Sequence, residues 1–351
     1  MVEKSMFDFA IIGAGASGVY AARLLREQAK QQGKNVRICL VEKSRGLGGR
    51  LSTRRVYLDD GRMVQVELGA VNVGHAFQSQ ALQGQPPFGI NPPQLKHWEE
   101  LEVLQGLSKD YLRELQEGTD IDGFLTQSRL VRLEQSNQSL ANQSQGDHYW
   151  TLHLESTAQD KPALEPIKAR EVIMTAPPEQ VKAILKDSGL EQSPLMASIV
   201  GAEMACRFTW VLVTQGAALE TSQHFFKNDA MLDNLLVLSH KPGIQSANGY
   251  EQIQVNMTLD WSQLHAAVDK QQVQQDFEND VLTRIKTLIP DLQNHNVISF
   301  QVHKWLYAQP KSPATVPLKS DNGLTCIGDW TCGYGLDDAL RSAETLIQNY
   351  A

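Results

Sequence analysis

The chain has 351 residues, with 32 Lys and Arg against 40 Asp and Glu, a net charge of -8 and an isoelectric point near 5.6. This balance leaves no strongly basic face and excludes a general nucleic-acid binder. The length exceeds what one hydrophobic core usually serves, so two domains are expected.

The first strong pattern runs from Phe7 to Arg50. FDFAII reads as a buried strand and GAGASG as a glycine turn; an apolar-faced helix follows from Ser17 to about Gln32 and ends at Gly33. Gly13, Gly15 and Gly18 have the G-x-G-x-x-G spacing: the first for a tight turn, the second for close approach of a diphosphate, the third for helix-strand packing. The free N–H groups at the helix start, around Ala16 and Ser17, point at a bound phosphate. A second apolar strand, Val36 to Val41, ends at Glu42, with Lys43 beside it. A carboxylate there accepts hydrogen bonds from an unphosphorylated ribose and repels a 2'-phosphate, which favours FAD or NAD over NADP. The alternative is a Rossmann-like unit without a ligand.

Beyond Glu42 the loop EKSRGLGGRLSTRR carries Gly48, Gly49 and Arg50, then Arg54 and Arg55. Adjacent glycines permit close backbone approach, and Arg50 offers a planar fork of donors to a diphosphate. Arg54 and Arg55 read equally well as solvated charges. From about 76 to 122 come a proline-rich loop, a charged helix expected over about 94–105 and another near 109–117. Residues 136–147, rich in Asn, Gln and Ser, read as an exposed loop between strands. Short strands such as FTWVLVT and YEQIQVNMTL follow, then a helix from about Val268 to Leu288. Cys39 and Cys326 sit in apolar strand patterns; none of the four cysteines, with Cys206 and Cys332, has metal-ligand spacing, and no metal is expected. The polar start lacks an apolar signal core, so a cytoplasmic protein with reduced thiols and no membrane span is expected.

With its acid, GGR and TRR, the chain resembles the flavin-containing amine oxidase superfamily, and within it the renalase-like proteins. The likeness continues through VELGAVNVG (66–74), SRLVRLE (128–134), AREVIMTAPPEQ (169–180), VHKWLYAQP (302–310) and CIGDWTCGYGLDDALRSAETL (326–346). It implies noncovalent FAD, because the context of Cys332 does not match a covalent attachment motif. It also implies roles by position: Val71 and Asn72 beside the flavin ring, Leu130 on the strand meeting adenine, and Asp329 after Gly328 on the ribityl chain. The N-terminus of a helix starting near Leu336 would face the pyrimidine edge, where donors and positive potential stabilise a reduced flavin. Three positions depart from the pattern. Asp338 stands where the family commonly has glycine, and Val71 and Asn72 where renalases more often have a glutamine and an aromatic residue. Capping explains Asp338, and can explain Asp337.

The implied fold is α/β: a glutathione-reductase-like Rossmann FAD domain (1–75, 123–188, 299–351) interleaved with an α+β substrate domain on a mixed sheet (76–122, 189–298). The expected activity is oxidation of dihydro-NAD(P) isomers by hydride transfer to flavin, with dioxygen as acceptor. The substrate partner is then a reduced nicotinamide dinucleotide, and the protein a monomer or weak dimer. An amine oxidase or other FAD dehydrogenase, and a non-catalytic nucleotide-binding protein, are the alternatives. Little acid-base machinery is needed. Candidates for the substrate wall are His240, Trp261, His303, Trp305 and Tyr307, although both histidines and Trp261 read equally as packing residues.

Overall fold

The computed structural model describes residues 6–74, 78–136, 148–314 and 322–350. Apart from Ser136, the polar loop expected at 136–147 lies outside these residues.

Two sheets organise the chain. The first is built on β1 (Phe7–Ile12), followed by α1 (Ala16–Gln31) and β2 (Ile38–Val41). β2 is buried at all its positions, as its uninterrupted ICLV run requires of a strand covered on both faces. β7 (Gly123–Leu125) extends the parallel set on one side. On the other, β1 pairs in parallel with β10 (Ile167–Met174). The far edge of β10 is shared: its first residues pair antiparallel with β9 (Trp150–Ser156), its last in parallel with β16 (Leu324–Cys326). β8 (Ser128–Gln135) completes the sheet beside β9.

The second sheet has five strands in the order β12 (Gln223–Phe225), β13 (Leu232–Val237), β14 (Tyr250–Met257), β11 (Met204–Gln215) and β15 (Asn296–Pro310). A mixed sheet is present, but it is the first one; the second, expected to be mixed, pairs antiparallel throughout. One face packs on α5 (Leu259–Leu264) and α6 (Lys270–Leu288) through Phe208, Trp210, Ile253, Val255 and Val281. Asp269 starts α6 by accepting from Gln271 N at 2.8 Å. The opposite face meets the hairpin of β3 (Thr53–Tyr57) and β4 (Met63–Glu67).

Two boundaries differ from expectation. Residues 299–310 belong to the second sheet, because β15 follows β11 along its length. Within 76–122, α2 (Ser108–Glu117) packs instead on α1, with Leu112 and Leu115 in the core that holds Leu24 and Leu25.

The helix expected over 94–105 is a hairpin, β5 (Leu95–Trp98) and β6 (Leu101–Leu104). The apolar residues recur every third position, which imitates a helical stripe. Across the turn at Glu99 and Glu100, however, Trp98 pairs with Leu101 and Leu95 with Leu104. Trp98, Leu101 and Val103 then face the core beneath the second sheet, while Leu95 and Leu104 face the core of the first. Burial on two sides pulls a strand ribbon, not a helix, from this spacing. Remaining helices are α3 (Pro178–Asp187), α4 (Pro194–Ile199) and α7 (Leu336–Gln348), the last packed along α1. Among the described residues no helix is long and apolar enough to cross a membrane.

Candidate cofactor and substrate site

The glycine turn sits at the carboxyl end of β1 and leads directly into α1. Gly13 has φ +115°, and a Cβ there would lie 2.4 Å from Thr175 Oγ1. A Cβ on Gly18 would lie 2.0 Å from Gly13 O, so helix and turn touch only because Gly18 lacks a side chain. Gly15 differs: its backbone is extended and nothing lies within 4 Å of its Cβ position. It is the N-cap of α1 without a side-chain cap, and the first turn contains no acid. Free N–H groups facing open space fit a diphosphate. Ala16 and Ser17 form that first turn.

Glu42 is 7% exposed and closes this cradle. Its Oε2 accepts from Ala14 N at 2.8 Å, and Oε1 from Ser44 N at 2.7 Å and Ser44 Oγ at 2.6 Å. The acid read as a ribose ligand therefore also ties the glycine turn to the end of β2. Lys43 donates to Gln180 Oε1 at 3.2 Å, and burial lowers its pKa. The second glycine pair stacks on the first: Gly48 N donates to Ala14 O at 2.9 Å, and the Gly49 Cβ position, at φ +52°, lies 3.3 Å from Gly15 Cα.

Arg50 goes elsewhere than expected. Its guanidinium makes a bidentate pair with Asp329, both contacts 2.6 Å, and Nη1 donates to Ala308 O on β15 at 2.9 Å. Residues expected on two parts of one cofactor thus meet directly, 279 positions apart. Gly328, at φ +153°, precedes Asp329, and its N–H donates to Ser342 Oγ at 3.1 Å. α7 begins at Leu336, as expected, after an N-cap glycine. Asp338 accepts from Tyr334 N at 2.8 Å, Gly335 N at 3.2 Å and Arg341 Nη2 at 2.6 Å, which is the capping role. Asp337 caps a different segment, accepting from Gln78 N and Ser79 N at 2.9 Å each.

Segment 67–74 passes between the sheets. Gly69 admits no side chain, since a Cβ would fall 1.7 Å from Arg50 O and 3.3 Å from Trp305 Cζ2. Val71 is 3% exposed in the core and Asn72 accepts from Gly74 N at 2.9 Å, so both side chains have structural partners. Leu130 is likewise a core side chain, on a strand that begins where Ser128 N donates to Glu42 O.

Sequence reasoning missed what holds this segment. Lys241, 1% exposed, donates to Glu67 Oε2 at 2.7 Å and Ser108 Oγ at 3.2 Å, while Ser108 N donates to Glu67 Oε1 at 2.7 Å. Gln254 Nε2 donates to Glu67 O at 3.1 Å and Gly69 O at 3.0 Å. The one available signal was a glutamate closing an apolar strand.

Of the wall candidates, His303 and Trp305 share one face of β15, whereas Tyr307 lies where the register with β11 shifts and packs against the first-sheet core. The rings of His303 and Trp305 meet edge-on at 4.2 Å, and the indole N–H donates to Leu68 O at 3.1 Å. Burial, then Arg54 and Lys270, push the imidazole of His303 down to about 4. Folding thus favours its neutral form. Stability from this group is full above pH 6.5, its unfolded value, and falls as pH drops towards 4. Urea unfolding of His303→Gln across that window should show a shallower loss than wild type; an unchanged slope would contradict the assignment.

The other two candidates are not brought here. Trp261 is a core residue behind the second sheet, stacked on His265 at 4.1 Å. His240 bonds Glu251 at 3.2 Å and Ser222 at 3.1 Å. Glu251 pairs with Thr214 whereas Trp305 pairs with Arg207, about 24 Å away along β11. Among the described residues no His, Cys, Asp or Glu cluster could hold a metal.

The NAD(P)-binding Rossmann-like domain family matches residues 11–83. A stretch of 41 residues is 49% identical to the mitochondrial electron transfer flavoprotein-ubiquinone oxidoreductase of Mus musculus, covering 12% of this chain and 7% of that protein. Across 99% of its length the chain shares its fold with a protein assigned as a protoporphyrinogen oxidase from Exiguobacterium sp. 255-15, at TM-score 0.64 and 12% identity, also covering 99% of that chain. Cyclohexylamine oxidase from Brevibacterium oxydans IH-35A is similar at TM-score 0.61 and 12% identity, over 99% of this chain and 100% of that one. Aklavinone-11 hydroxylase, in complex with FAD and aklavinone, aligns at TM-score 0.53 and 10% identity, over 98% of this chain and 62% of that one. The chain therefore shares one fold with these two oxidases and with the FAD-bound hydroxylase.

Proposed function

We propose that this chain binds FAD noncovalently and is a renalase-like oxidoreductase acting on dihydronicotinamide dinucleotide isomers. The observation that carries the cofactor reading is convergence. A free helix N-terminus over an open Gly15, a buried ribose-type acid at Glu42, and Asp329 with the α7 N-terminus line one edge of the first sheet. Bound FAD would supply a two-electron acceptor for hydride from the dihydropyridine ring, with dioxygen and a proton regenerating it as hydrogen peroxide forms.

The protein's part is to hold and exclude. α1 and Gly15 take the diphosphate, Glu42 the adenosine ribose, and Asp329 the flavin half. Burial pushes the Cys332 thiol up to about 11, so it stays protonated at neutral pH, which supports noncovalent binding. His303 and Trp305 supply an uncharged aromatic wall. Arg54 and Lys270 make the potential at His303 positive, which opposes an ammonium and suits a neutral ring bearing anionic phosphates.

One observation favours an amine instead. Glu179 Oε2 is buried without a hydrogen-bond partner, and Glu179 is close enough to help raise the Tyr307 pKa. That oxygen could pair with an ammonium. Anaerobic mixing of the FAD-loaded protein with 2- or 6-dihydro-NAD, and separately with primary amines, decides between them. Bleaching of the flavin absorbance on a turnover timescale is expected with the dihydro-NAD isomers. Bleaching by amines alone, lost in Glu179→Gln, would replace this reading with the second.

A further inference from the structure

We propose that Arg50 serves the flavin half of the cofactor, by holding Asp329, and does not grip the diphosphate. This rests on the FAD reading above. Asp329 is 2% exposed, and the hydrogen-bond partner of both its carboxylate oxygens is the Arg50 guanidinium. Both Nη1 hydrogens are committed, one to Asp329 and one to Ala308 O; one Nη2 hydrogen is committed to Asp329 as well. The fork is thus aimed at the carboxyl end of β16, with β10 lying between that strand and β1. Two strand spacings separate β16 from the Gly15 turn, about 10 Å along the sheet edge.

Without Arg50, both oxygens of this buried carboxylate would lose their hydrogen-bond partner and counter-charge, and the side chain would lose its fixed orientation towards sugar-alcohol hydroxyls. Arg50 is therefore a positioning residue that holds Asp329 in one orientation. Its backbone adds a second constraint, because Arg50 O accepts from Ala70 N at 3.0 Å. The loop after β2, the segment beside Gly69, the turn after β16 and strand β15 are clasped at one residue.

ADP separates this role from a diphosphate role, since it carries the diphosphate and lacks the flavin half. Dissociation constants for FAD and for ADP are to be measured on wild type, Arg50→Met, Asp329→Asn and the double variant, with far-UV circular dichroism to establish folding. Arg50→Met is expected to weaken FAD by about 10- to 100-fold while ADP changes by less than about twofold. Asp329→Asn should show the same selectivity, and the double variant should be no worse than the weaker single one. Equal losses for FAD and ADP in Arg50→Met would overturn the proposal. If Arg50→Met does not fold, Arg50→Lys, which keeps the charge and loses the fork, carries the same comparison. Wild type that bound ADP and not FAD would instead refute the underlying cofactor reading.

Discussion

Replacing Gly15 with threonine is expected to cost on the order of 100-fold or more in FAD affinity while leaving the apoprotein's unfolding midpoint nearly unchanged. Gly15 differs from Gly13 and Gly18 in that no protein atom lies within 4 Å of its Cβ position. Its backbone is already extended, a region that β-branched residues favour. Threonine and glycine are also near equals as N-caps, differing by a few tenths of a kcal/mol, so α1 should not notice the change. The added atoms would fill the space a diphosphate needs, and the threonine hydroxyl would compete for the same N–H donors. Isothermal titration with FAD and urea unfolding of the apoprotein check the two halves. Loss of fold together with binding would mean that the open space is structural and not a ligand's.

The second large effect concerns the ion pair beneath the segment from Glu67 to Gly69. Lys241→Met removes the ammonium and leaves Glu67, 3% exposed, as a buried charge, expected to cost about 3–5 kcal/mol. Measured against a typical total of about 5–15 kcal/mol, that is a large share. Combining it with Glu67→Gln should recover most of the loss, because the amide oxygen still accepts from Ser108 N and no charge remains to be solvated. Urea midpoints for the single and double variants test this. A double variant no more stable than Lys241→Met would show that packing of the lysine stem, not the charge, is what matters.

These two sites also show what the sequence makes legible. The Gly13–Gly18 turn, Glu42 and α1 are contiguous, and their chemistry follows from backbone requirements that spacing alone displays. α7 starts where its motif predicts. Arg50 illustrates the limit: its planar fork fits a diphosphate or a carboxylate equally well, and only the fold brings Asp329 within 2.6 Å. Lys241 and Glu67 are read from sequence as ordinary charges, because nothing local reveals a partner 174 residues away. At Leu95–Leu104 a three-residue apolar spacing serves helix and two-faced hairpin alike, and the presence of two cores decides. His240 and Trp305, both plausible ring neighbours by composition, are separated by the register of β11 against its two partners.

The central claim is that motifs near the two ends of the chain form one FAD site. Titration of the apoprotein with FAD, followed by quenching of flavin fluorescence and challenged with ADP, addresses it most directly. The expected result is saturation at one FAD per chain, with ADP displacing FAD competitively and Gly15→Thr abolishing the quenching. Absence of saturable quenching, or quenching that ADP and Gly15→Thr leave untouched, would contradict it.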